Sequence, residues 1–328
     1  MNVLCIGNAI VDILSEVNDK FLLDRGMEKG SMHMITKNQS DTLISILENN
    51  KKSCGGSASN TATGLSSLGC EVSFIGKVGK DILGNYFKKD LNNYNIKEEF
   101  ISTDDSLVTG RSIISITPDK ERTMNTYLGA SSMLSDKDIT IDMFKNIKGV
   151  FIEGYLWYLK SGKKIINKII KESKKNNGYV ALSLSDNICV DIYREEIMKL
   201  IKENSITYLF GNKSELLALL ETTNKNVMLN KSLELSDYIN KIIITDGSNG
   251  SYVIEGKCIN HVKAALHKET IDTTGAGDLY ASGFLKGIDM NLNARECAHL
   301  GNLCGSEIVK VIGAKPNKNL INLIKNIY

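Results

Sequence analysis

The sequence predicts an α/β protein: a mostly parallel sheet with helices on both faces and a small antiparallel sheet inserted into it. Three observations predict it. Short apolar runs alternate with helical patterns along most of the chain, two stretches break that alternation, and a glycine-rich turn carrying a carboxylate opens an apolar helical run at residue 278. Such alternation implies crossover connections, because parallel neighbours need a helix-sized return between them.

Taken in order, core strands are expected at 3–6, 72–75, 149–152, 179–184, 206–210 and 242–245, each an apolar run of strand length. Helices are expected at 58–68, 84–93, 163–175, 192–202, 214–220, 278–288 and 294–309. The exceptions are 11–35 and 110–128. In the second, 110–116 and 122–127 flank a turn at Pro118-Asp119, the pattern of a hairpin. The expected division is a core of 1–10, 36–96 and 129–328, with 11–35 and 97–128 forming the inserted sheet. Pro118 and Pro316 are the two prolines, so no proline-rich linker separates independent domains, and there is no internal repeat or low-complexity tract.

Composition narrows the function. A length of 328 residues with 42% hydrophobic content supports a sizeable core. The formal charge is 40 − 38 = +2, and the lysines are dispersed over helical faces such as 171–175, which argues against a nucleic-acid footprint. Seven cysteines without a Cys-x-x-Cys pair read as reduced residues of a cytosolic protein. Residues 1–17 lack a basic start and contain Asp12 and Glu16, which excludes a secretory signal, and no run approaches the roughly 20 apolar residues that span a bilayer. A cytoplasmic chain with no membrane partner is expected. His33, His261, His267 and His299 are far apart in sequence and give no zinc pattern.

The chemistry is concentrated in 272–278, Asp-Thr-Thr-Gly-Ala-Gly-Asp. At a helix start the first N–H groups lack intrahelical partners and carry the positive end of the dipole, so Gly275, Ala276 and Gly277 would let an anion approach bare amides. Asp278 beside them would orient a hydroxyl nucleophile and take its proton. That set suits phosphoryl transfer, in which the protein mainly positions reactants and stabilises spreading charge. The same residues would also make an ordinary helix start, so the rest of the chain decides. Familiar nucleotide motifs are absent: there is no P-loop, and Tyr280 stands where a dinucleotide-binding turn needs its third small residue.

Five separated signatures, in order, make the chain resemble the ribokinase family, also called the PfkB carbohydrate kinases, nearly end to end. They are Gly7-Asn8 with Asp12, Gly55-Gly56-Ser57-Ala58-Ser59-Asn60, Asn212-Lys213-Ser214-Glu215, Thr245 to Gly250, and Gly275 to Asp278. The resemblance implies a ribokinase-like three-layer core with a small β lid, ATP as phosphoryl donor and Mg2+ as cofactor. It implies Asp278 as base over an anion hole of Gly275, Ala276 and Gly277, and Arg122 reaching from the lid toward the transferred phosphate. Asn8, Asp12, Gly55, Gly56 and Asn60 would bind the acceptor; Asn212, Thr245, Gly247 and Gly250 would serve the nucleotide; Glu215 would organise magnesium through water. A monovalent cation such as K+ is implied near Asp272, Thr274 and Gly313, and the chain is expected as a monomer or a lid-mediated homodimer.

The residues themselves support these roles without requiring them. Asp12 directly after a strand can accept from two vicinal hydroxyls, and Asn60 at a helix start can donate and accept beside it. Asn212 with Glu215 three residues on is equally a capping box. The spacing of Asn8 and Asp12, followed by Asp19-Lys20-Phe21-Leu22-Leu23-Asp24, is more similar to adenosine kinases than to ribokinases. An ATP-dependent adenosine kinase is therefore expected, with a ribose or fructose kinase as the alternative. A non-catalytic nucleotide- or sugar-binding protein is the third, and the intact Gly-Ala-Gly-Asp turn argues against it.

Overall fold

Nine strands form the central sheet in the computed structural model, which describes residues 2–47, 50–97, 101–119, 121–265, 270–316 and 319–325. In chain order the strands are β1 (Asn2–Ile6), β2 (Ile10–Glu16), β3 (Met32–Met34), β4 (Lys51–Gly55), β5 (Glu71–Gly79), β6 (Ile101–Asp104), β7 (Gly110–Ile116), β8 (Arg122–Tyr127), β9 (Gly149–Glu153), β10 (Tyr179–Ser183), β11 (Tyr208–Asn212), β12 (Lys241–Thr245), β13 (Ser251–Glu255) and β14 (Cys258–Val262). The helices are α1 (Asp19–Leu23), α2 (Lys37–Ile46), α3 (Ser57–Ser67), α4 (Ile82–Asn93), α5 (Gly162–Lys175), α6 (Asn187–Lys202), α7 (Lys213–Leu219), α8 (Lys225–Leu235), α9 (Ala276–Asp289), α10 (Ala294–Ile308) and α11 (Ile321–Ile324).

The central sheet runs β14-β13-β12-β11-β10-β9-β1-β5-β6, parallel from β12 to β6 and antiparallel at β12–β13 and β13–β14. Side chains alternate between its faces, as the two-residue strand period requires. On β1, Val3 and Cys5 pack with α3, α4, α9 and α10, while Leu4 and Ile6 pack with α5 to α8. This is the three-layer core. All six expected strands are present, with ends shifted by a few residues.

Several elements escaped the sequence pattern. In α8 only Met228, Ser232 and Leu235 are buried, a stripe too narrow to stand out as amphipathic. α6 starts at Asn187, five residues before the expected 192, because Asp186 caps it; a break at Tyr193, with φ −112°, divides its pattern. α2 is opened by a capping box between Thr36 and Gln39. His267 lies outside the described residues.

The second sheet runs β3-β8-β7-β2-β4 and is mixed: β2–β4 and β7–β8 are antiparallel, β2–β7 and β3–β8 parallel. Its boundaries correct the expected division. Residues 51–55 were expected in the core, yet β4 pairs along β2, because a strand without apolar alternation gains its ladder by covering the sheet edge. Residues 101–104 were expected in the insertion, yet β6 pairs with β5 and adds the last parallel strand to the core, burying Ile101. α2 also belongs with the second sheet: Leu43 and Leu47 pack on Ile113. One face of that sheet is thus under α2, while Ser112 and Ile114 on alternate positions of β7 face a cavity above the core.

Candidate active site

The cavity lies where ligands bind in parallel sheets, beyond the carboxyl ends of the strands. Its volume is about 380 Å³, within the range of small-molecule sites. Glu153 ends β9, Asn212 ends β11 and Thr245 ends β12; all three face it. Asn8, after β1, and Ser185, after β10, do the same. The roof, from the second sheet, is mostly apolar: Ile10, Met32, Met34, Ile114 and Met124 line it, with Asp12, Ser112 and Thr126 as its polar members.

Asp278 sits in the first turn of α9, where the helix N-terminus favours a carboxylate. Two side chains of α3 hold it: Ser57 Oγ donates to Oδ1 at 2.6 Å and Asn60 Nδ2 donates to Oδ2 at 2.9 Å. Burial raises its pKa, and these two bonds oppose the rise. The helices carrying it pack closely because their contact residues are small; a Cβ on Gly64 would lie 2.3 Å from Ser282 Oγ. Ser282 in turn donates to the carbonyls of Thr61, at 2.9 Å, and Asp278, at 2.8 Å.

The turn before α9 uses its two glycines differently. Gly275 has φ +76° and an added Cβ would meet Ala314 Cβ at 2.6 Å, so the fold itself demands glycine there. Gly277 has an ordinary φ and open space where a Cβ would go, which leaves its amide approachable from the cavity.

Asp12, on β2, projects from the second sheet into the same cavity. Its carboxylate lies over Gly55 on the neighbouring strand, where a Cβ would be 2.3 Å from Oδ1. Burial pushes its pKa up to about 7, against the pull of the Arg122 and Lys315 charges, with Asp272 and Asp278 adding to the rise.

Sequence reasoning missed Glu153, the residue that organises this end of the cavity. It is fully buried; Oε1 accepts the Asn8 N–H at 2.6 Å and the Asn8 amide at 2.8 Å, and Oε2 accepts the Ala58 N–H at 2.8 Å. Burial lifts it to about 7, and the three donors hold the rise in check. Its signal was a carboxylate closing an apolar run expected as a central parallel strand. Ser57 lay inside a quoted signature but was not singled out.

On the other side of the cavity the Asn212–Glu215 capping box is formed. Asn212 Oδ1 accepts the Glu215 N–H at 2.9 Å, while Glu215 accepts the Asn212 N–H at 2.9 Å and amide at 2.7 Å. Glu215 is buried and raised to about 7 chiefly by that burial, with the Asp186 and Asp278 charges contributing. Of the expected residues, Asn8, Asp12, Gly56, Asn60, Asn212, Glu215, Thr245 and 275–278 line one cavity. Gly55 backs Asp12. Gly250, φ +92°, serves the turn between β12 and β13, where a Cβ would strike Val262 O at 2.1 Å, and a Cβ on Gly247 would meet nothing. Arg122 also stands off the lining; its guanidinium is paired with Asp272.

Comparison with known proteins gives the family. Residues 30–319 match the model of the pfkB family carbohydrate kinases. An adenosine kinase from Sinorhizobium meliloti superposes with a TM-score of 0.92 at 35% identity, covering 100% of this chain and 99% of that one. A probable sugar kinase protein from Rhizobium etli CFN 42 superposes with a TM-score of 0.92 at 34% identity, covering 99% and 98%. The probable fructokinase-6, chloroplastic, of Arabidopsis thaliana is 26% identical over 281 residues, 81% of this chain and 72% of that protein. The chain belongs to the pfkB family of carbohydrate kinases and is an ATP-dependent phosphotransferase.

Proposed function

We propose that this kinase phosphorylates the 5′-hydroxyl of adenosine. The observation that carries the proposal is one cavity lined by the Asp12 and Asp278 carboxylates and by a mostly apolar, methionine-rich roof. A ribose diol suits Asp12, an apolar slot suits a flat base, and a hydroxyl near Asp278 faces the amides that open α9. The 35% identity to the Sinorhizobium meliloti adenosine kinase supports the same reading. In the reaction the acceptor oxygen forms a bond to the γ-phosphorus, the bond to the β–γ bridging oxygen breaks, and Asp278 receives the hydroxyl proton. ADP leaves with the electron pair of the broken bond. The anion hole of Gly275, Ala276 and Gly277 takes the charge that builds on the transferred group.

Asn212, Thr245, Gly247 and Gly250 are assigned to the nucleotide side. Magnesium fits Glu215 through water: one buried carboxylate at the cavity wall, with both oxygens already accepting from Asn212, suits an outer-shell partner and not a protein cage. When bound it neutralises phosphate charge. Arg122 Nη1 is buried without a partner among the described residues, an unmet donor that a phosphate oxygen would satisfy. The second sheet acts as the lid. Leu43 and Leu47 pack on one face of it at Ile113 and its other face covers the cavity, and the chain is read as a monomer or a lid-mediated homodimer. No described helix is long and apolar enough to cross a membrane, and the unpaired cysteines suit a cytoplasmic setting.

The fructokinase likeness favours a sugar as the second reading. An ATP-consumption assay with adenosine, ribose and fructose separates them. Adenosine is expected to give the highest kcat/KM; far faster turnover of a free sugar overturns the adenosine assignment.

A further inference from the structure

Arg122, the first residue of β8, places its guanidinium on the Asp272 carboxylate in the loop that precedes the anion hole. That carboxylate is buried and its oxygens are engaged. Oδ1 accepts the Thr274 N–H at 3.0 Å, and Oδ2 accepts both the Gly313 N–H at 2.6 Å and the guanidinium. Two neighbouring carbonyls are engaged as well: Val309 O accepts from the Ile271 and Asp272 N–H groups at 2.7 and 3.2 Å, and Thr273 O accepts from Ala276 at 3.2 Å. A monovalent cation needs a shell of available oxygens, and like charge against the same buried carboxylate repels it strongly. The potassium ion implied by the family likeness does not fit here. A second side-chain cation stands close by in sequence, since buried Lys315 holds its ammonium on Asp90 at 2.5 Å.

We infer that Arg122 is this chain's built-in substitute for the monovalent cation. An uncompensated negative charge at Asp272, two residues before Thr274 in the cavity wall, would oppose the phosphates that the turn has to hold. The guanidinium cancels that charge from the lid, so activation is supplied by the chain and is independent of the potassium concentration. Acting through Asp272, Arg122 is a positioning residue in addition to any contact its Nη1 makes with phosphate. The consequence for turnover on adenosine rests on the acceptor proposed above; the consequence for ion binding does not.

The test compares the full chain in potassium chloride and in choline chloride at equal ionic strength, by thermal melting and by kcat on adenosine. Wild type is expected to be indifferent, within about 1.5-fold in kcat and about 1 °C in Tm. Arg122→Ala exposes the carboxylate, so potassium is expected to raise its Tm and to restore kcat by at least about threefold over choline. Arg122→Gln, which keeps most of the volume without the charge, is expected to respond in the same way, and Arg122→Lys, still cationic, to remain indifferent. Potassium activation or stabilisation of wild type overturns the inference, as does indifference of both neutral variants. A wild-type chain inactive on adenosine refutes the adenosine assignment and leaves the melting comparison to decide the ion.

Discussion

Asn60 donates its amide to Asp278 Oδ2 at 2.9 Å while its own Oδ1 is buried with no partner among the described residues. One side chain therefore fixes the Asp278 carboxylate and leaves an acceptor unmet beside it. A hydroxyl bound there would give Asn60 its second hydrogen bond, which ties acceptor binding to the orientation of Asp278.

Asp278→Asn tests the base. The variant keeps the volume and a hydrogen-bonding group for Ser57, so melting temperature and adenosine binding should stay near wild type. Turnover should fall on the order of 10²-fold or more, measured as kcat at saturating substrates. Comparable turnover would reduce Asp278 to a residue that favours the helix start.

The two glycines of the turn should separate fold from function. Gly275→Ala forces a side chain into the left-handed region and against Ala314, so it should destabilise by about 1–2 kcal/mol or more in chemical denaturation. Gly277→Val meets open space and should cost under about 1 kcal/mol, yet it should weaken ATP binding and turnover by crowding the amides. A Gly277→Val enzyme with full activity would rule out phosphate approach at this point.

Glu215→Gln keeps an acceptor for the Asn212 cap. A capping role alone predicts normal activity; a role with magnesium predicts lower kcat and a magnesium titration displaced to higher concentration. An unchanged titration removes Glu215 from the metal's surroundings.

Acceptor choice should depend on Asp12. Removing one hydroxyl of the diol leaves a buried carboxylate short of a donor, so 2′-deoxyadenosine should lose roughly 10- to 10³-fold in kcat/KM against adenosine. Asp12→Ala should lower activity on adenosine and shrink that ratio; an unaltered ratio would place the diol elsewhere.

Burial gives a pH signature with a definite sign. Asp12, at about 7, accepts from two hydroxyls best when ionised, and Asp278, also raised, takes the hydroxyl proton only when ionised, so kcat/KM should climb as pH rises through about 7 and level above it. An acid limb near pH 4 would contradict this. For stability, Glu153 rises from 4.5 when unfolded to about 7 when folded, so between those values the folded chain keeps a proton that the unfolded chain has lost. Its contribution is fully present below pH 4.5 and falls away as pH rises to about 7, and Glu153→Gln should flatten that part of the melting profile.

The parallel core was legible because its strands are apolar on both faces, and 275–278 stood out because glycines and a carboxylate at a helix start have few other uses together. What escaped depended on partners distant in sequence. Glu153 looks like the polar end of a strand until the fold brings Asn8 and Ala58 to its two oxygens, 145 and 95 residues away. β4 carries too little alternation to announce a strand; only Asp12 above Gly55 explains its place. Arg122 was expected at phosphate, and its pairing with Asp272 spans 150 residues that no local pattern connects.

The proposed acceptor anchor and the proposed base stand on different elements: Asp12 is on β2 of the second sheet, and Asp278 is in the first turn of α9. On these roles, any displacement of that sheet relative to α9 changes the gap between the two carboxylates. An acceptor held by Asp12 and long enough to reach Asp278 acts as a ruler that sets this gap.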